Sequence, residues 1–175
     1  MTDEFIQPLL AWYDENKRIL PWRDKHNAYY TWVSEIMLQQ TRVEAVKPYF
    51  ERFMAAFPDI KALAEADDDY LMKMWEGLGY YNRARNLKAA AIMVMEEFCG
   101  QIPAEKEELL KLPGIGSYTA GAISSIAYGV PNPAVDGNVL RVLSRLWGDT
   151  SDIKKASVKA AMEQEIAEVM PENAA

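Results

Sequence analysis

The sequence predicts an all-α fold, and three observations carry that prediction. Apolar residues recur at helical spacing in segment after segment, no stretch alternates at the period of a strand, and half of the 175 residues are apolar along the whole length. So much apolar surface can bury a core, which excludes a disordered chain. Ile6, Leu9, Leu10 and Tyr13 share one helix face, with Pro8 either setting the start near Phe5 or kinking the helix. Residues 19–22 break it. Helices then fit 31–40 and 43–57, the latter ending at Pro58, and a short one runs from an Asp67 or Asp68 cap to Trp75. Gly77 and Gly79 punctuate. Residues 82–99 form a long helix stopped by Gly100, and 104–111, 117–127, 138–146 and 153–170 complete eight or so helices joined by short loops.

Composition bounds what such a fold could do. The chain has one cysteine and one histidine, so an internal disulfide and a His/Cys metal cage are both excluded. Cys99 is expected to fill a packing position at the end of its helix, and His26 to lie in a solvated loop. The longest apolar stretch, 89–95, is too short to span a bilayer, and the acidic start has no signal-peptide pattern, so no membrane partner and a cytoplasmic location are expected. A net charge of −7 speaks against nucleic acid on average. The charges are nonetheless segregated: acids crowd into 59–69, 105–108 and 163–172, while basic residues gather in 42–52, 83–88 and 141–145. One basic face is compatible with that distribution.

Three clusters carry the chemistry. In 109–122 a helix runs into Leu112, Pro113, Gly114, Ile115 and Gly116, and a second helix starts at once with Ser117 and Tyr118. Exposed amides at a helix N-terminus bind phosphate without any lysine, which removes the objection from net charge. The pattern is that of a helix-hairpin-helix clamp on the DNA backbone; the plain alternative is an ordinary helix turn. In 32–41, Glu35 sits among Trp32, Val33, Ile36 and Leu38, an apolar wall that raises a carboxyl pKa. A carboxylic acid kept protonated near neutrality can donate to a poor leaving group. In 135–142, Asp136 precedes a helix; it either caps that helix, with Asn138 as another candidate cap, or presents its charge to a developing cation.

Together, residues 34–41, 77–85, 112–121 and 135–142 resemble, in order, the motifs of the helix-hairpin-helix DNA glycosylase superfamily, and specifically its adenine-removing, MutY-type branch. The similarity runs from about Leu10 to Met170. It implies a helical barrel beside a second lobe, with the active-site cleft between them. Residues 1–20 would be the N-terminal helix of an incomplete second lobe, and 21–170 the catalytic domain, with the helix-hairpin-helix at 105–127. It implies base excision repair, in which adenine mispaired with 8-oxoguanine or guanine is flipped out and hydrolysed from its sugar.

Carried residue by residue, the resemblance implies that Glu35 protonates adenine N7 and that Asp136 stabilises the oxocarbenium-like sugar or bonds to it transiently. Tyr118 would position Glu35 or its proton, and Asn138 would orient water or Asp136. Gln40 and Tyr80 would enter the base stack, with Thr41, Leu112, Gly114, Gly116 and Ser117 also on the DNA side. Arg18, Trp22 and Leu38 would line the adenine pocket. For Tyr80 and Trp22 ordinary aromatic packing is the alternative. Bifunctional relatives carry a lysine where this chain has Tyr118, and a phenol forms no Schiff base, so the implied enzyme is monofunctional. A thymine–guanine mismatch glycosylase and a non-catalytic helix-hairpin-helix DNA-binding module are the competing readings.

The chain also departs from the pattern. Full-length relatives continue into four cysteines that hold a [4Fe-4S] cluster and usually a domain that reads oxidised guanine; here no cofactor is expected, because Cys99 is the only cysteine. A shortened chain, weak or inactive by itself, is therefore expected, acting on double-stranded DNA with a mispaired adenine at the bacterial nucleoid. Oligomerisation is not expected of the parent, but apolar surface left on helix 6–13 invites association of this chain.

Overall fold

Capping side chains start four of the ten α-helices found among the described residues of the computed structural model, which describes residues 3–23 and 27–170. Asn27 accepts from the amides of Tyr29 and Tyr30 and starts α2 (Ala28–Leu38) three residues earlier than apolar spacing suggests. Before it, a 3-10 turn at Asp3–Phe5 leads into α1 (Ile6–Asn16). Pro8 lies in the first turn of α1, whose N-cap is Phe5, so the helix starts near Phe5 as expected; amides there have no intrahelical partner for a proline to remove.

α3 (Val43–Ala56) follows, then α4 (Ile60–Ala64), which has no periodic signal in the sequence. Five residues are too few to show a period; α4 rests on the Asp59 cap, bonded to the Ala62 amide at 2.8 Å, and on buried Leu63. Asp67 caps α5 (Asp68–Trp75) in the same way. α6 (Asn82–Glu97) ends two residues short of the expected limit, because Cys99 and Gly100 both adopt left-handed backbone. Cys99 is exposed, not packed, which corrects the sequence expectation: beyond the helix end its side chain has no core to enter. His26 lies outside the described residues. α7 (Lys106–Leu109), α8 (Ser117–Tyr128), α9 (Gly137–Trp147) and α10 (Ala156–Val169) complete the order. Among the described residues there is no strand, and no helix is long and apolar enough to cross a membrane.

Two cores result. The larger joins α2 to α8, with Trp32, Phe50, Phe53, Trp75, Leu109 and Ile123 at its centre. The smaller packs Val135 and Leu140 against Met162 of α10. Helix α1 contributes no buried residue to either, and leaves Leu9, Trp12 and Tyr13 exposed.

The link between the cores carries Asp136 and is held close to α8. A Cβ on Gly121 would lie 2.3 Å from the Pro133 carbonyl oxygen, so only glycine admits the link there. Asn132 donates to the Ser124 hydroxyl at 2.8 Å, and Ser124 donates to the Ala104 carbonyl at 2.7 Å. Backbone bonds from Val130 to Ser124 and from Asn132 to Val130 hold the start of the link, and the Asn132 side chain fastens it to α8.

Candidate active site

The α2–α8 contact brings Glu35 against Tyr118, and the glycine contact brings Asp136 toward both. Glu35 is largely buried and hydrogen-bonded to Tyr118. Burial raises its carboxyl above the ordinary value, partly opposed by the Tyr118 bond and by the Arg23 charge, with Asp136 adding a further upward push. Burial is also the main reason the Tyr118 phenol is raised, followed by the charge and hydrogen bond of Glu35 and the charge of Asp136. Tyr118 therefore stays a neutral donor facing a carboxyl.

Asp136 is the N-cap of α9. One oxygen accepts from the amides of Asn138 at 2.8 Å and Val139 at 2.9 Å, and the other from the Asn138 side-chain amide at 2.7 Å. Arg141 in turn donates to the Asn138 side-chain oxygen, which fixes the amide with its NH2 toward Asp136. Capping and charge presentation, alternatives in the sequence, are compatible here, since one carboxylate does the first while remaining electrostatically coupled to Glu35.

In the hairpin, Gly114 has φ +81° and a Cβ there would meet Asn86 at 2.8 Å, so glycine is required sterically. Gly116 differs: its φ is −101° and nothing lies within 4 Å of an added Cβ. No side chain caps α8 at this residue, so its first amides lack a capping acceptor. Ser117 donates to Glu163 of α10 at 3.1 Å. Leu112 has its side chain buried in the larger core, which leaves its backbone as the part able to meet DNA.

Gln40 and Tyr80 are exposed, each on a left-handed residue, with φ of +57° and +47°. Thr41 is half-buried beside Gln40. Among the expected pocket residues, Trp22 is buried and packs edge-on against Phe50 at 5.3 Å, which makes it a core residue. Arg18 is exposed and Leu38 is half-buried at the end of α2. Sequence reasoning missed Arg23, Arg83 and Glu163, whose partners are distant in the chain, and also Arg141, whose i,i+3 spacing to Asn138 was legible. An open depression of about 500 Å³, lined by Tyr29, Asp59, Lys61 and Tyr128 among others, contains none of these site residues. No group of three or more metal-ligating side chains occurs among the described residues.

An all-α fold in which a glycine-bearing hairpin sits beside a buried carboxyl and a helix-capping carboxylate defines the helix-hairpin-helix glycosylase class. The model of the HhH-GPD superfamily of base excision DNA repair proteins matches residues 33–168, and the chain belongs to that family. It is 45% identical over 144 residues to an adenine DNA glycosylase of Buchnera aphidicola subsp. Baizongia pistaciae, covering 82% of this chain and 41% of that one. It is 48% identical over 151 residues to the adenine DNA glycosylase of Homo sapiens, covering 81% and 28%. The chain thus spans less than half the length of these curated relatives. Among solved structures it resembles a thermostable thymine-DNA glycosylase (TM-score 0.86, 26% identity, 96% of this chain and 77% of that one). It also resembles a non-covalent Endonuclease III–DNA complex (TM-score 0.77, 25% identity, 99% and 80%).

Proposed function

We propose that this chain is the catalytic part of an adenine DNA glycosylase that hydrolyses the N-glycosidic bond of adenine mispaired with 8-oxoguanine or guanine. The observation that carries this reading is the convergence of Glu35 on α2, Tyr118 on α8 and the Asp136 cap of α9, where partial burial pushes the Glu35 carboxyl above its ordinary value. Glu35 acts as general acid, giving its proton to N7 of the extruded adenine. The C1′–N9 bond then breaks with its electron pair leaving on the base, and Asp136 faces the oxocarbenium-like sugar. Water adds at C1′ and loses a proton, while Asn138, held by Arg141, orients Asp136 or that water.

Position 118 offers a phenol where a Schiff-base lysine would be needed, which supports a monofunctional reaction. The uncapped amides at Gly116 take a DNA phosphate, and Gln40 and Tyr80 enter the stack at the extruded base. Arg18 and Leu38 line the adenine pocket. Residues 21–170 are the catalytic domain and 1–20 the N-terminal helix of an incomplete second lobe. The substrate places the protein on DNA, in the bacterial cytoplasm at the nucleoid. A [4Fe-4S] cluster does not fit the residues present, since it needs four ligands of the thiolate kind and Cys99 is the only cysteine. No step is routed through it.

The test is single-turnover release of adenine from a duplex with an A·8-oxoguanine pair, with protein in excess. Release by this chain is expected to be slow, because α1 is unpacked. Glu35→Gln and Asp136→Asn are each expected to lower the rate about 100-fold or more, the size of a lost general acid or charge. Unchanged rates in both variants would refute the enzyme reading. Salt-dependent binding without base release would mark a DNA-binding module, and release of thymine from a T·G pair would favour the thymine reading that the 0.86 TM-score brings forward.

A further inference from the structure

The guanidinium of Arg83, in the first turn of α6, gathers acceptors from two separate loops. Nη1 donates to the carbonyls of Ile36 at 2.9 Å, Met37 at 3.0 Å and Gln39 at 2.6 Å. These carbonyls lie at the C-terminus of α2, where they lack helical donors and carry the negative end of the helix dipole. Nη2 donates to the carbonyls of Leu78 at 3.0 Å and Gly79 at 3.2 Å, and reaches the Thr41 hydroxyl at 3.4 Å. The same group lies over the rings of Trp75 and Tyr80, at 5.4 Å and 5.5 Å. Capping of α2 alone would account for the first three bonds and leave the other half without a reason.

Each loop ends in a non-glycine residue of left-handed backbone, Gln40 in one and Tyr80 in the other. Such conformations persist only where their surroundings impose them. Arg83 bonds to the carbonyl immediately before each of them, that of Gln39 and that of Gly79. A planar fork can reach both loops at once, whereas an ammonium is a point charge on a flexible stem.

We propose that Arg83 is a positioning residue that locks the two loops as one unit, so that Gln40 and Tyr80 meet the duplex together when the base is extruded. This rests on the glycosylase reading above. Arg83 touches no reacting atom in it.

The experiment uses the full chain, wild type and Arg83→Lys, with a duplex carrying 2-aminopurine in place of the target adenine opposite 8-oxoguanine. At saturating protein the wild type is expected to raise 2-aminopurine fluorescence, and Arg83→Lys to lose about four-fifths or more of that rise. Both proteins are expected to respond alike to 2-aminopurine in an unpaired bulge, which needs no extrusion; a merely unfolded variant would fail there too. Amide exchange without DNA is expected to quicken about tenfold in 39–41 and 78–81 together, with α8 unchanged. Arg83→Gln, with a short amide that cannot span both loops, is expected to behave as Arg83→Lys and serves if the lysine variant does not fold.

A full duplex response in the variants, or faster exchange in one loop only, would overturn the proposal while leaving the glycosylase reading intact. No rise with wild type at saturation would instead overturn the extrusion reading, and the proposal with it.

Discussion

Glu35 pits stability against chemistry within one side chain. Its carboxyl is raised by burial, so the folded state holds the proton more tightly than the unfolded chain does. The stabilising contribution is therefore complete below the unfolded value and is lost as pH rises through the raised folded value. Glu35→Gln is expected to raise the thermal midpoint relative to wild type at neutral and alkaline pH, with the gap closing in acid. Melting curves across that range check it, and a gap that widens toward acid would contradict it. The same sign governs catalysis. Base release should fall with rising pH along a limb whose midpoint lies above 4.5, the ordinary carboxyl value, and Tyr118→Phe should move that limb upward by removing a bond that lowers Glu35. A single-turnover pH profile reads both.

At the scale of elements, the site depends on how closely helix α8 accepts its neighbours. Gly121 lets the Pro133–Ala134 backbone lie against α8, and that link ends in Asp136. Gly121→Ala is expected to cost roughly 1–3 kcal/mol, the range for overpacking against rigid backbone, and to slow base release by moving Asp136. Denaturant unfolding gives the first quantity and single-turnover rates the second. A stable variant of unchanged rate would show that the link relaxes freely. By contrast, Gly116→Ala meets no protein atom and keeps an ordinary φ, so the fold should tolerate it while DNA affinity falls, if a phosphate approaches there.

On the scale of the whole molecule, the two cores and the unpacked α1 form a graded structure. With no buried residue, α1 adds little to global stability, and its Leu9 and Trp12, 52% and 59% exposed, form part of an apolar strip. The double change Leu9→Ser, Trp12→Ser is expected to shift the thermal midpoint by no more than about 2 °C, as surface changes usually do, while reducing concentration-dependent association. Sedimentation velocity over a concentration series checks this. Equal association in both proteins would show that α1 is not the contact.

The sequence by itself determined the helical class, because periodicity, capping and turn chemistry act within a few residues, while Glu35, Tyr118, Asp136 and Asn138 became candidates through motifs that resemble a family in their order. It overran α2 at Gln40 and α6 at Cys99, and it showed no sign of α4, since those limits depend on left-handed residues and one short capped turn. Leu112, expected on the DNA side, and Trp22, expected in the adenine pocket or in ordinary aromatic packing, both have side chains buried in the larger core. Only the tertiary structure decided that Glu35 meets Tyr118 and faces Arg23, that Gly121 brings Asp136 near, and that Arg83 bridges the Gln40 and Tyr80 loops. The Arg83 bonds join residues as much as 47 positions apart, as between Arg83 and Ile36, and no local spacing encodes which distant side chains packing will bring together.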